Sequence, residues 1–186
     1  MAAIAAPLDA AHSEKVSELW RLLGSEVGLK RAADISPVPH FSFHCARDFD
    51  LETLGDIVQQ MAGAARPLRV RTAGIGVFTG VSPVVYIPVV RTPELTRLQL
   101  ALWSAAAVAS EEPLAQYHPA SWIPHITLAQ GDVTAASLTA AIDLLNSHDL
   151  VWDLTVDSLV IIRGRGDRPQ ELTARHVFGG GSARNF

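Results

Sequence analysis

The chain has 186 residues, 48% hydrophobic and 18% charged, and its mean hydropathy is positive. That fits one domain, or two small lobes sharing a core, and excludes a disordered chain. A net charge of −4 and a pI near 5.9 argue against a protein that coats duplex nucleic acid through a broad basic surface, but leave room for a pocket that takes one nucleotide or one RNA end.

Cys45 is the single cysteine, so no internal disulfide forms and a reducing cytoplasm is the expected location. It follows Phe43 by two positions and reads as core filler. No apolar run approaches the length of a membrane span, and no basic region precedes an apolar stretch at the N-terminus. Neither a membrane helix nor a signal peptide is expected.

Residues 1–7 are short and apolar and read as a first strand, weakened by alanines. Asp9 caps a helix with Val16, Leu19, Trp20 and Leu23 on one face, stopped at Gly24. Residues 28–39 read as a loop into a strand beginning Pro39-His40-Phe41-Ser42-Phe43. Asp50 then caps a helix carrying Leu51, Leu54, Ile57, Val58 and Met61. Two strand-like runs come next, 68–78 and 84–90, joined by Thr79-Gly80-Val81-Ser82-Pro83, a hairpin signature. Gly74 and Gly76 suggest a bulge in the first, and Pro88 an edge or irregularity in the second. Thr92-Pro93-Glu94 starts a helix with Leu95, Leu98, Leu102 and Ala106 buried. A loop with Tyr117 and Trp122 leads into Pro124-His125-Ile126-Thr127-Leu128. Thr134 caps a helix with Leu138, Ala141, Ile142 and Leu145 inward. Residues 152–162 read as a strand, 163–169 as a turn, 171–178 as a final strand and 179–186 as a flexible tail.

The two proline–histidine stretches share one pattern. In a strand, His40 and Ser42 point one way and Phe41 and Phe43 the other; His125 and Thr127 likewise oppose Ile126 and Leu128. Each strand thus anchors by an apolar face and presents an imidazole and a hydroxyl on the opposite one. The order strand, helix, strand, hairpin, strand runs from both histidines, which stand 85 residues apart, as do Phe78 and Arg163 at the ends of the long middle strands. This duplication predicts an α+β, bilobal fold: mostly antiparallel sheets, helices on their outer faces, lobe repeats at about 40–90 and 125–178 within one domain of residues 1–178, and a pseudo-twofold axis setting the two motif strands across a central cleft.

With both tetrads in place, the chain resembles the two-histidine phosphoesterase superfamily, which includes the 2′,5′ RNA ligases and RNA 2′,3′-cyclic phosphodiesterases. His40-Phe41-Ser42-Phe43 and His125-Ile126-Thr127-Leu128 fit its two histidine–apolar–Thr/Ser–apolar motifs, and the lead-in Trp122-Ile123-Pro124 resembles that of its second motif. The resemblance spans roughly residues 12–178. Many cyclic phosphodiesterase members carry an arginine shortly after the second tetrad; here Ala129-Gln130 stands there, and a carboxamide can hydrogen-bond a phosphate without charge.

The resemblance implies a metal-independent phosphoesterase that opens 2′,3′-cyclic phosphates at RNA or nucleotide ends, with reverse 2′,5′ ligation as a second capability. Such a reaction needs a base for the attacking water and an acid for the leaving alkoxide, and histidine suits both. His125 is assigned as base and His40 as acid, with the reverse open. Ser42 and Thr127 are the expected phosphate donors. His44, Trp122, Gln130 and Tyr86 are candidates for lining the cleft, with Tyr86, Tyr117 and Trp122 available to stack on a base. A zinc site from His40, His44 and His125 lacks an acid or cysteine at ligand spacing, so no metal or cofactor is expected. His12, His118, His148 and His176 read as loop or surface residues, and the arginines of the 163–169 turn as a solvated hairpin or, less simply, a phosphate contact. The expected partner is an RNA end or a small cyclic-phosphate molecule, with no duplex nucleic acid and no membrane, and a monomer is the expected state. Two rival readings are a nucleotide-binding module with little turnover and a phosphoesterase for a small cyclic-phosphate metabolite.

Overall fold

The structure is a computed structural model and describes residues 1–164, 169–179 and 181–184. Arg165 and Arg168 of the expected hairpin turn lie outside those residues. Its elements in chain order are β1 (Ala2–Pro7), α1 (Ala10–Leu22), α2 (Arg31–Ile35), β2 (His40–Phe49), α3 (Leu51–Ala64), β3 (Leu68–Arg71), β4 (Gly76–Phe78), β5 (Val84–Pro88), α4 (Pro93–Ala106), β6 (Ser110–Pro113), β7 (His125–Gln130), α5 (Ala135–Leu145), β8 (Asp153–Val156), β9 (Ser158–Arg163), β10 (Glu171–Val177) and β11 (Gly181–Arg184).

The helix starts sit where capping chemistry puts them. Asp9 accepts from the His12 N–H, Asp50 from those of Glu52 and Thr53, and Thr92 from that of Leu95 with Pro93 in the first turn; Thr134 and Ser137 cap each other's backbone. The stop of α1 differs. Gly24 stays inside a π-helical turn over Leu23–Val27, and the chain reverses at Gly28, which takes the left-handed conformation (φ 82°) that glycine adopts without strain. The short helix α2 occupies the segment expected to be loop.

Two antiparallel sheets form among the described residues. The larger runs β11-β10-β9-β1-β2-β7-β5-β4, with β6 alongside the far end of β2; the smaller is β3 paired with β8. Each of the two long strands expected from the sequence is therefore broken. Residues 68–78 divide at Gly74, whose φ is 75°, and 152–162 divide at the exposed Asp157. The leading pieces leave the large sheet and pair with each other, Leu68 opposite Val156 and Arg71 opposite Asp153. The trailing pieces β4 and β9 stay in the large sheet. Element order from β2 to β5 recurs from β7 to β10, and β2 to β7 and β3 to β8 are each offset by 85 positions. The expected flexible tail includes β11, which pairs with Arg175 and Val177 of β10.

The alanine-rich β1 lies in the middle, between β9 and β2, with every residue buried. Burial on both faces explains its uninterrupted apolar run. On the helix side, α4 packs on β2, α3 on β9 and β10, and α1 on β7, enclosing Phe41, Phe43, Ile126 and Leu128 in one apolar core. Among the described residues no helix is long and apolar enough to cross a membrane.

Candidate active site

The two motif strands are neighbours in the large sheet and touch at Phe41 opposite Ile126. Their apolar residues are buried and their histidines and hydroxyl residues half-buried, as the alternation requires. His40, Ser42, His125 and Thr127 all line one cavity of about 210 Å³.

Both imidazoles are held the same way. His40 Nδ1 lies 2.8 Å from the Val38 carbonyl and His125 Nδ1 2.7 Å from the Ile123 carbonyl, each just ahead of the proline that precedes the histidine. A carbonyl oxygen only accepts, so Nδ1 carries the proton and each neutral ring keeps an Nε2 lone pair. The prolines set this up by confining the preceding residue to extended backbone. Their own carbonyls are tied down, that of Pro39 by the Leu8 N–H and that of Pro124 by the Val89 N–H. The hydroxyl residues are braced from behind. Trp122 Nε1 donates to the Ser42 carbonyl at 2.9 Å and Trp20 Nε1 to the Thr127 carbonyl at 3.1 Å. The Thr127 hydroxyl has no partner among the described residues; the Ser42 hydroxyl sits beside the Cys45 thiol and the Tyr117 phenol.

A β-bulge in each motif strand decides which later side chains reach the cavity. Ala5 and Ile4 pair with Ser42 and His44, leaving Phe43 as an extra residue; Val85 and Tyr86 pair with Ala129 and Thr127, leaving Leu128 extra. Bulging at the fourth position of each tetrad reverses the alternation beyond it. Cys45 and Gln130 therefore line the cavity, and His44 does not. His44 is 1% exposed, on the helix side against Trp103 (ring centroids 4.3 Å) and Phe49 (5.2 Å). The expectation of His44 in the cleft is corrected, and the conceivable His40/His44/His125 zinc site is not assembled. Among the described residues no three His, Cys, Asp or Glu side chains are grouped to hold a metal.

Trp122 is also corrected. It is 1% exposed and stacks on Phe43 beneath the sheet, so it supports the site and cannot stack on a base. Tyr86 is buried and backs the site: its ring packs on Phe78 and on His125, with centroids 4.1 and 5.1 Å apart. Gly76 makes room for it, because a Cβ there would collide with the Tyr86 ring. Gln130 is on the cavity wall. Among the other histidines, His176 is buried and not on the surface, and His12 pairs with Asp9 at 2.7 Å.

Several wall residues had no readable signal. Trp20, Gln116 and Gln170 are brought in by tertiary structure, and Ile35 and Ser36 by α2. Asp132, two residues past Gln130, accepts the backbone N–H groups of Lys30 and Arg31 at 2.8 and 2.9 Å, which docks α2 beside the end of β7. Tyr117 arrives on the 114–124 loop, in a 3₁₀ turn.

Burial shapes the electrostatics. It lowers the pKa of both motif histidines; His40 has the added repulsion of His125. It pushes the Cys45 thiol up to about 11, against the hydrogen bonds from Tyr117 and Ser42, and raises Tyr117 well above its ordinary value, helped by Cys45. Near neutral pH these directions leave all four groups uncharged.

Comparison with known proteins adds the family. No curated protein matches the chain. The crystal structure of TT0787 of Thermus thermophilus is similar, with a TM-score of 0.64 at 17% identity over 97% of this chain and 99% of that one, a likeness of fold. A family model described as the 2′-5′ RNA ligase superfamily matches residues 9–168 and so takes in both tetrads and most of the cavity wall. The chain belongs to the 2′-5′ RNA ligase superfamily.

Proposed function

We propose that the protein is a phosphoesterase that opens 2′,3′-cyclic phosphates at RNA or nucleotide ends by paired histidine acid–base catalysis, with the reverse 2′,5′ ligation open to the same groups. Membership of the superfamily supports an enzyme of the RNA ligase type acting on RNA or nucleotides. The observation that carries the finer reading is the matched pair of imidazoles, each anchored at Nδ1 and each lining one cavity beside a hydroxyl two residues on.

In this reaction one neutral Nε2 removes a proton from water as its oxygen attacks phosphorus. The bond from phosphorus to one ribose oxygen breaks on the opposite side, and the second imidazole gives its Nε2 proton to that oxygen. The product is a phosphomonoester. Ser42 and Thr127 hydroxyls donate to the equatorial oxygens. Burial disfavours the charged form of both imidazoles, and His125 adds to this at His40. His125 serves as the base and His40 as the acid for hydrolysis, with the reverse assignment open to the same pair. Ligation runs with the roles reversed.

A pH–rate profile on a nucleoside 2′,3′-cyclic phosphate tests this. It is expected to be bell-shaped with its maximum on the acid side of pH 6.5, since both histidine pKa values are lowered. His40→Ala and His125→Ala each lower turnover by about 10²–10⁴-fold. Full activity in either variant sinks the mechanism, and nucleotide binding without turnover at any pH makes the cleft a binding module instead.

A further inference from the structure

The two-histidine cavity does not end at its own walls. Met1, Ile35, Gln130 and Gln170 line it and also line a second groove of about 420 Å³, which continues past Gln130 toward Ser82 and Gly131. That volume falls within the range of small-molecule sites, about 300–1,000 Å³. At the junction stand two carboxamides, both half-buried.

Their backbones are fixed. Gln130 ends β7 opposite Val84, and the Gln170 N–H donates to the Ile35 carbonyl at 2.8 Å. The Gln170 stem rests on Gly164, where a Cβ would come within 3.2 Å of its Cγ. Yet neither carboxamide has a hydrogen-bond partner among the described residues. Each offers one acceptor and two donors at a set position, unspent among the described residues. A carboxamide complements an edge that presents a donor and an acceptor side by side, and adenine offers this as N6–H and N7. A purine leaving a phosphate held between His40 and His125 has this groove as a continuation of the same cleft.

We propose that the groove beyond Gln130 and Gln170 is a nucleobase subsite, and that its two carboxamides select adenine on the nucleotide whose phosphate lies between the histidines. This rests on the cyclic-phosphate reading for its turnover but not for its binding. The bulge at Leu128 supplies the reason for Gln130: it turns that side chain to the cleft at the end of the strand, where an uncharged group reads a base edge and a cation would seek the phosphate.

The test uses the full chain, wild type and the Gln130→Ala, Gln170→Ala and isosteric Gln130→Glu variants, with two measurements. One is kcat/KM for adenosine against uridine 2′,3′-cyclic phosphate. The other is equilibrium binding of 3′-AMP against 3′-UMP. The wild type is expected to favour adenine by about tenfold or more in binding, and in turnover where turnover occurs, with the ratio falling toward one in each variant. A ratio near one in the wild type, or a preference that survives all three substitutions, overturns the subsite, whatever the turnover. An adenine preference in binding that the variants abolish, with no turnover of either substrate, keeps the subsite and overturns the phosphoesterase reading. Failure to bind either nucleotide overturns the subsite as well.

Discussion

Each motif histidine owes its orientation to the proline before it. Val38-Pro39-His40 and Ile123-Pro124-His125 place a carbonyl within 2.8 and 2.7 Å of Nδ1 and so dictate which nitrogen meets a substrate. The pair has a direct readout: in an NMR titration both histidines are expected to protonate below pH 6.5, and titration of either above it would contradict the burial of the pair. His44 shows what the same residue type does on the other face. The Ser110 hydroxyl spends its proton on the Ala106 carbonyl at 2.7 Å, so it accepts from His44 Nε2–H at 2.8 Å, and among the described residues His44 Nδ1 is left buried without a partner. Burial lowers its pKa to about 4. The folded state therefore holds His44 neutral while the unfolded chain takes up a proton near pH 6.5. The stability this provides is complete above that pH and is lost as pH falls toward 4. Urea unfolding at pH 7 and pH 4.5 is expected to show a pH dependence about 2 kcal/mol shallower in His44→Gln than in the wild type; equal slopes would show that His44 does not titrate in this way.

At the scale of elements, the paired bulges do most to shape the site. They let a strand carry histidine and hydroxyl on the cleft face and then turn Cys45 and Gln130 to that face, while His44 and Ala129 join the core. Strict alternation placed His44 in the cleft because the bulges carry no glycine or proline to announce them; Phe43 and Leu128 read as ordinary core residues. The hairpin β4–β5 serves the site in a different way, by holding Tyr86 against the His125 ring over Gly76. Gly76→Ala is expected to displace that ring, to cost about 1–3 kcal/mol of stability as overpacking does, and to lower turnover by disturbing His125. Thermal unfolding beside steady-state kinetics checks it; unchanged values in both would remove Tyr86 from the support of His125.

Across the whole molecule, strands from the first and second halves of the chain interlock. β3 and β8 pair across the halves, β2 meets β7, and β1 is wedged between β9 and β2 with both faces buried. No half has a core of its own to keep, so unfolding is expected to be one transition, with far-UV circular dichroism and tryptophan fluorescence coincident. Ile4→Ala, at a fully buried position of β1, is expected to shift both probes together by about 2–5 kcal/mol; separate transitions would mean that the halves fold independently. The residues alone determined the types of most of the longer elements, four helix caps and the two tetrads 85 residues apart, because capping, periodicity and proline act over a few neighbours and survive in the linear order. Only the tertiary structure decided that the long strands break to pair with each other, that α2 docks on Asp132, that Trp122 and His44 turn inward, and that Gln170 and Tyr117 reach the cavity. Those outcomes depend on what lies opposite a residue across the sheet, at sequence distances where local preference carries no information.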